Sequence, residues 1–338
     1  MPAINYSDIS PRTEGFAASE MLKRGTPHLV ITSFGQGNPI PKKSSKTQKW
    51  RRYNALPTLE NAPAAEGVTP SDQTITHTDV TATLNQYIGV TRITDVVEDT
   101  HEDPVLKEFS GILGEQAAQT VEKVYWNVIK AGTNVVYANS VSERNQIAHE
   151  MTLVDLRKAT RALKRQNAKF ITHQISSDPN FNKISVPRSF IGLIHPDLEN
   201  VVKNLPNFKA REDYAKEPEH DSEVGACDGV RFITSTVFEA FADAGGPKGS
   251  GVSELISGLG THADVYPCLL IAEDAYGVTP LRGAESIEPF VALRKASDSD
   301  PAAQRTSIAW KTMQAAEILN DLWMVRLESA VRLNPTVS

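Results

Sequence analysis

DPVLKEFSGILGEQAAQTVEKVYWNVIKAG, residues 103–132, is the stretch that most restricts what this chain can become. Leu106, Phe109, Leu113, Ala117, Val121, Val124 and Val128 recur every three or four residues, the spacing of one helix face. Asp103 suits an N-cap and Pro104 the first helical position. Gly132 suits the far end, with Lys130 near the negative pole of the dipole. The pattern predicts one helix over residues 104–131, roughly 42 Å long at 1.5 Å per residue. Gly111 and Gly114 would each cost about 1 kcal/mol against alanine, so they point to close packing on their side. A helix of that length with a single apolar stripe is a spine, and a spine needs a sheet to lie on.

The flanking sequence supplies one. Residues 1–48 are poor in large apolar side chains and rich in Pro, Gly, Ser and Lys, as in FGQGNPIPKKSSK. Such a stretch reads as an extended arm, ordered only when laid across another surface. In residues 49–97, TITHTDVTATL and LNQYIGVTRITDVV suit strands, and NAPAAEGVTPSD marks a long loop. The expected object is a two-stranded ribbon, marginal unless it lies against something. After the long helix, TLVDLRKATRALKRQNA predicts a second one with Leu153, Leu156, Ala159 and Leu163 inward. SFIGLIHPDLENVVKN reads as a buried strand, a turn at His195–Pro196 and a short helix; residues 204–229 read as acidic loop. GVRFITST and VYPCLLIAEDAYGVTPL read as strands. RTSIAWKTMQAAEILNDLWMVRLESAVR is ambiguous: Ala and Leu favour helix, while Ile308, Trp310, Thr312 and Val325 favour strand. The class is α+β, without internal repeats.

Composition narrows the function. With 35 basic against 41 acidic residues the net charge is −6, the wrong sign for a dedicated DNA-binding protein. Cys227 and Cys268 stand in no metal or redox spacing, which suggests a reducing compartment. No run approaches a membrane span, and MPAINYSDISPRTEGF lacks a secretory pattern, so the expected place of synthesis is a cytoplasm, without a membrane partner. GGPKGSG has Lys248 in the wrong order for a phosphate loop, and Ser253 in GVSEL lacks the second glycine of a nucleophile elbow. In DVVEDTHEDP, Asp95, Glu98, Asp99, Glu102 and Asp103 surround His101, and helix entry explains them more simply than a metal. Asp274 and Tyr276 read as a strand-to-turn corner. No catalytic residue, cofactor or metal ligand is assigned, and a chain of this size without a site reads as a building block.

A resemblance gives that block a name. TDVVEDTHEDPVLKEFSGILGEQAA, FIGLIHPDLENVVKNLPNFKAREDYA, VGACDGVRFITST, VYPCLLIAEDAYGVTPL, DPAAQRTSIAWK and ILNDLWMVRLESA occur in order over most of residues 50–330. Together they resemble the major capsid protein of tailed bacteriophages, in the branch of podoviruses that carry a giant virion RNA polymerase. The resemblance implies the Hong Kong 97-type capsid fold: an N-terminal arm (1–48), an E-loop (49–97), a peripheral domain (98–195) with spine helix 104–131, an axial domain (196–289), and return strands of the peripheral domain (290–338). It therefore overrides the helix signal near the C-terminus. It also implies a non-enzymatic protein that self-assembles into pentamers and hexamers, an icosahedral shell around double-stranded DNA. The implied partners are a portal protein, a scaffolding protein and a decoration protein, in a virion capsid assembled in the bacterial cytoplasm. The absence of a large N-terminal extension favours a separate scaffolding protein or none. A nanocompartment shell of the same fold and a cytoplasmic α/β enzyme are the alternatives.

KTQKWRRYNA, residues 46–55, is where such a chain would meet its neighbours. Lys42, Lys43, Lys46, Lys49, Arg51 and Arg52 put six basic residues in eleven positions, with no acid until Glu60. Either these bases and aromatics bind packaged DNA, or they form the E-loop root, or Trp50 sits in its own core. The second reading is favoured: Trp50 and Tyr53 pack on a neighbouring subunit while Arg51 and Arg52 meet its acids. The contact candidates are Trp50, Arg51, Arg52, Tyr53, Glu212, Asp213, Glu219 and Asp221.

Overall fold

The computed structural model describes residues 29–60, 66–67, 69, 72–100, 102, 104–175, 183–213, 220, 222–251, 254–281, 287–296 and 301–334. Asp103, Glu219, Asp221 and residues 1–28 lie outside this set, and so do the expectations placed on them.

The described chain opens with one helical turn, α1 (Ile31–Phe34), and a short strand, β1 (Gln36–Gly37). Val30, Ile31, Phe34 and Ile40 are buried, so the end of the stretch read as an arm lies on the body of its own subunit. Strands β2 (Thr47–Tyr53) and β3 (His77–Thr83) pair antiparallel from Thr47 opposite Thr83 to Tyr53 opposite His77. This is the expected two-stranded ribbon. Strand β4 (Asn85–Thr94) and helix α2 (Asp95–Thr100) lead to the long helix, α3 (Val105–Ile129).

Helix α3 has 25 residues, which is about 37 Å. It starts one residue later than the sequence suggests, because Pro104 is the N-cap, with ψ 71°, and its carbonyl accepts the N–H groups of Lys107 and Glu108. Its buried face is also turned from the expected stripe. Leu113, Ala117 and Val121 are buried, but Leu106, Phe109, Val124 and Val128 lie at the margin. The centre is Ala118, Glu122, Tyr125, Trp126 and Ile129, because the two large aromatics gain most from burial and take the middle of the stripe. Gly111 and Gly114 are buried, as their presence suggested.

Beyond α3 come β5 (Val135–Tyr137) and helix α4 (Leu153–Arg165). A capping box starts α4, with Thr152 and Asp155 each binding the other's backbone N–H. Leu156, Ala159 and Leu163 turn inward as expected. Strands β6 (Ile171–Ile175) and β7 (Lys183–Ile194) are followed by the His195–Pro196 turn, where His195 Nδ1 accepts the N–H of Asp197 at 3.2 Å, and by helix α5 (Glu199–Lys203). Residues 204–229 are not all loop. They hold β8 (Lys209–Ala210) and β9 (Glu223–Cys227), and β9 forms a hairpin with β10 (Val230–Thr234). Asp228 and Gly229 make its turn with φ of 50° and 82°, the Asp-Gly chemistry of a tight hairpin that the acidic reading passed over. Buried Glu223 and Arg231 then pair across the hairpin with two bonds of 2.7 Å.

The remaining strands are β11 (Tyr266–Ile271), β12 (Tyr276–Pro280), β13 (Ile287–Ala292), β14 (Arg305–Ile318) and β15 (Met324–Ser329). The ambiguous C-terminal stretch is therefore strand. In β14, Thr306, Ile308, Trp310, Thr312 and Gln314 are buried in alternation, so period two wins over local helix propensity. One sheet has the order β1-β12-β14-β13, with β4 pairing β14 from Arg305 to Gln314. The other runs β5-β15-β11-β7-β10-β9-β8, with β6 on β7. Helix α3 packs on the inner face of the first sheet over the largest core, and α4 covers part of the second.

One polar network ties the second sheet to the end of the spine. Arg326 on β15 donates to the carbonyls of Lys130 and Gly132, just past the C-terminus of α3. Its Nε donates at 2.6 Å to Glu328, which is fully buried, and Arg144 grips the same carboxylate with two bonds of 2.7 Å. The Arg144 guanidinium lies 3.8 Å from the ring centre of Phe241.

Candidate assembly surfaces

The ribbon positions the candidate contact residues, and its alternation divides them. Gln48, Trp50 and Arg52 share one face of β2, while Lys49, Arg51 and Tyr53 share the other. The first face meets the body. Trp50 is only 8% exposed and packs with Ile40, Ala82, Leu84 and Ala315, a small cluster at the ribbon's root. Its indole lies against Gly277 of β12, where an added Cβ would come within 2.7 Å of Trp50 Cζ2. Its Nε1 finds no hydrogen-bond partner among the described residues, so apolar packing alone holds it. Within its own subunit Trp50 is therefore a packed residue of the ribbon root.

Arg51 also has a partner within the chain. It donates two hydrogen bonds of 2.8 Å to Asp79, directly opposite on β3. The Arg51 bonds hold the Asp79 carboxyl below the usual range, and the Arg51 guanidinium is raised by the same pair. The pair is solvent-exposed, so it steers strand register more than it stabilises the fold. Arg52 and Tyr53 stay exposed; Tyr53 is 66% exposed, its ring edge-on to His77 at 6.2 Å. Glu212 and Asp213 sit exposed in the turn before β9 and pair with neither Arg51 nor Arg52 within the chain. Lys42 binds Glu288 at 2.7 Å, and all six bases of the run, Lys42, Lys43, Lys46, Lys49, Arg51 and Arg52, are exposed.

Replacing Gly277 by alanine is expected to push the Trp50 ring outward and to lower stability at the ribbon root by about 1–3 kcal/mol. Tryptophan fluorescence and thermal unfolding would register it; an unchanged spectrum would mean the ring is not held there.

A second surface escaped the sequence reading. Strands β4, β14 and β13 bring Val90, Ala309 and Phe290 into one row on the face away from α3. Ile88 and Val90 are 58% and 56% exposed, and Phe290 is 48% exposed. At the ribbon's free end Leu56, Leu59 and Ile75 are exposed too. The signal was present in QYIGVTRIT, which is apolar on both faces, as befits a strand covered on both sides rather than one half in water. In the acidic run Asp99 accepts two bonds from Arg294, of 2.7 and 2.8 Å, and Glu98 accepts the Thr306 hydroxyl. Near the chain's end a hollow of about 160 Å³ is lined by Glu150, Asp197, Asn200 and Arg332, and its three charged groups are engaged. Asp197 accepts the Tyr266 hydroxyl and Arg332 meets Glu150.

A sheet over one long helix, a projecting ribbon and uncovered apolar patches suit a unit completed by its neighbours. Comparison with known proteins decides the matter: residues 78–316 match the family model of phage capsid proteins. The chain belongs to the phage capsid protein family. This capsid protein is a structural protein of the icosahedral shell, not an enzyme. Solved capsids share its fold. The capsid of Ralstonia phage GP4 superposes with a TM-score of 0.62 at 10% identity, covering 91% of this chain and 92% of that one. The cyanophage Pam1 capsid gives 0.60 at 12% identity over 99% and 95%, and the cyanophage P-SCSP1u capsid 0.56 at 14% over 90% and 88%. The Hong Kong 97-type α+β fold implied by the resemblance is therefore the fold of this capsid protein. Among curated protein sequences none matches it.

Proposed function

We propose that this capsid protein is the major shell subunit of a podovirus-type phage, tiling pentamers and hexamers around double-stranded DNA. On this reading residues 49–97 are the E-loop, 98–195 with 290–338 the peripheral domain, and 196–289 the axial domain. Residues 1–48 form the arm. Portal, scaffolding and decoration proteins would join the shell in the bacterial cytoplasm, and the virion would be its final location.

The observation that carries the proposal is the ribbon itself. Trp50 fixes its root to the body, while its free end offers Arg52, Tyr53, Leu56, Leu59 and Ile75 to solvent. Apolar groups presented on a projecting ribbon find their cover on another copy, and the outward row of Ile88, Val90 and Phe290 adds a second uncovered patch. Each contact is modest, yet a closed shell breaks many at once when one subunit leaves. The net charge of −6 fits a lining that encloses DNA without gripping it.

The test is a double substitution, Arg52→Glu with Tyr53→Ala. Both side chains are exposed, so the subunit's melting temperature should stay within about 2 °C. At about 1 kcal/mol per contact repeated around the shell, the yield of closed particles should fall at least tenfold. Normal yield from a well-folded double variant would remove the ribbon end from the interface.

A further inference from the structure

Glu122 is buried in the middle of α3, fully inaccessible to water. A carboxyl group in such a place normally faces a cation. Here its oxygens accept the backbone N–H of Ile31 at 3.0 and 3.2 Å, and the N–H groups of Val30 and Thr32 also point at it. These belong to the first turn of α1, the point where the N-terminal stretch meets the body. The same segment is held by the Tyr276 hydroxyl, which donates to the Ile31 carbonyl at 2.6 Å, and by the burial of Val30, Ile31 and Phe34. Further along, β1 pairs with only two residues of β12, and Ile40 bridges to Leu281. Residues 29–40 are thus a thin strap across the spine, and one carboxyl group holds its first turn.

We propose that Glu122 is a proton-operated latch: protonated, it keeps residues 29–34 seated on α3, and ionised, it lets them lift and hydrate. The carboxylic O–H gives its proton to solvent as the strap opens; the strap's hydrogen bonds to Glu122 and Tyr276 break, and no other covalent bond changes. The carboxylate is fully buried beneath the strap whose N–H groups it accepts, so lifting the strap brings it to water. The titratable groups facing it are Tyr125 from its own helix and Tyr276 from β12, with Tyr87 of β4 behind Tyr125. Burial pushes both Tyr125 and Tyr276 upward, so they stay neutral and offer no counter-charge. On the strap's other contacts lie His220, 6.0 Å from the Phe34 ring, and the His173–Glu273 pair on the side of β6. None of these compensates an ionised Glu122.

Desolvation pushes the Glu122 carboxyl up from its ordinary 4.5 to about 8, against the backbone N–H bonds that favour its charged form. For a group raised in the closed state, the latch is fully engaged below the ordinary value and progressively lost toward the raised one. The opening equilibrium should therefore climb by up to about tenfold per pH unit between roughly 5 and 8, then level off. Such a strap would hold the arm's end at low pH and free it at mildly alkaline pH, a handle on how the subunit presents its N-terminus during assembly.

Hydrogen–deuterium exchange of the full-length chain tests this. Peptides covering residues 29–40 are followed from pH 5 to pH 9, corrected for intrinsic exchange, in the wild type and in Glu122→Gln. Glutamine keeps an acceptor for the Ile31 N–H and removes the titration. The expected result is protection of the strap that falls at least about tenfold from pH 6 to pH 8 in the wild type and stays flat in Glu122→Gln, with β11 protected in both. Parallel profiles in the two proteins, or a flat wild-type profile, would overturn the latch. Should the glutamine variant fold poorly, Tyr276→Phe serves instead. It weakens the strap at every pH by a constant factor and must keep the wild-type slope, since Glu122 is untouched; a lost slope there would assign the effect to the tyrosine and refute the proposal.

Discussion

Glu328→Ala is expected to lower the stability of the subunit by about 3–5 kcal/mol. Glu328 is fully buried, and two guanidinium groups, Arg144 and Arg326, spend their bonds on it. Removing the carboxylate leaves Arg326, only 8% exposed, as an uncompensated buried cation. It also frees the side chain that binds the Lys130 and Gly132 carbonyls beyond α3, so the spine loses its end clamp along with the sheet's charge balance. Chemical denaturation of the isolated subunit would measure this. A loss below about 1 kcal/mol would mean that water reaches the site and solvates the arginines.

Trp50→Ala should have a different signature. Truncating a buried aromatic removes about 3–5 kcal/mol of packing. The loss falls on a small cluster of Ile40, Ala82, Leu84 and Ala315, separate from the main cores. A two-stranded ribbon has little stability of its own to absorb it. The ribbon should detach locally, losing exchange protection over residues 47–53 and 77–83, while the main unfolding transition moves little. Closed particles should not form, because the free end would no longer be held at a fixed angle. Normal particles from this variant would show that the ribbon is positioned by its neighbours and not by its own root.

Much of this architecture could be read from the chain because burial and local chemistry pointed the same way. The spine helix, α4 and the ribbon each combined the right period with the right punctuation, and all three are present. Where two local signals conflicted, the outcome depended on partners distant in sequence. AWKTMQAAEIL has good helix formers, yet β12, β13 and β4 flank it from 19 to 229 residues away in register, for instance Ala309 opposite Phe290 or Gln314 opposite Asn85, and no local window contains them. The position of Glu122 at the centre of a buried face was equally hidden, since its partners are backbone N–H groups about ninety residues upstream. For the contact candidates the limit was of another kind. A tryptophan among basic residues carries the same sequence signal whether it packs on a neighbour or on a glycine of its own sheet. Only the register of β2 and the gap over Gly277 distinguish the two for Trp50. Similarly, Arg51 found its acid 28 residues along the chain, at Asp79 directly opposite on β3.

The most direct test of the central claim is electron microscopy of the full-length chain purified from cells, with image reconstruction of whatever it forms. The account predicts closed icosahedral shells or capsomer rings in which the free end of each ribbon, at Arg52 and Tyr53, lies on an adjacent subunit. A uniform dimer or tetramer under every condition, with the ribbon end and the Ile88–Val90–Phe290 face still open to solvent, would contradict it.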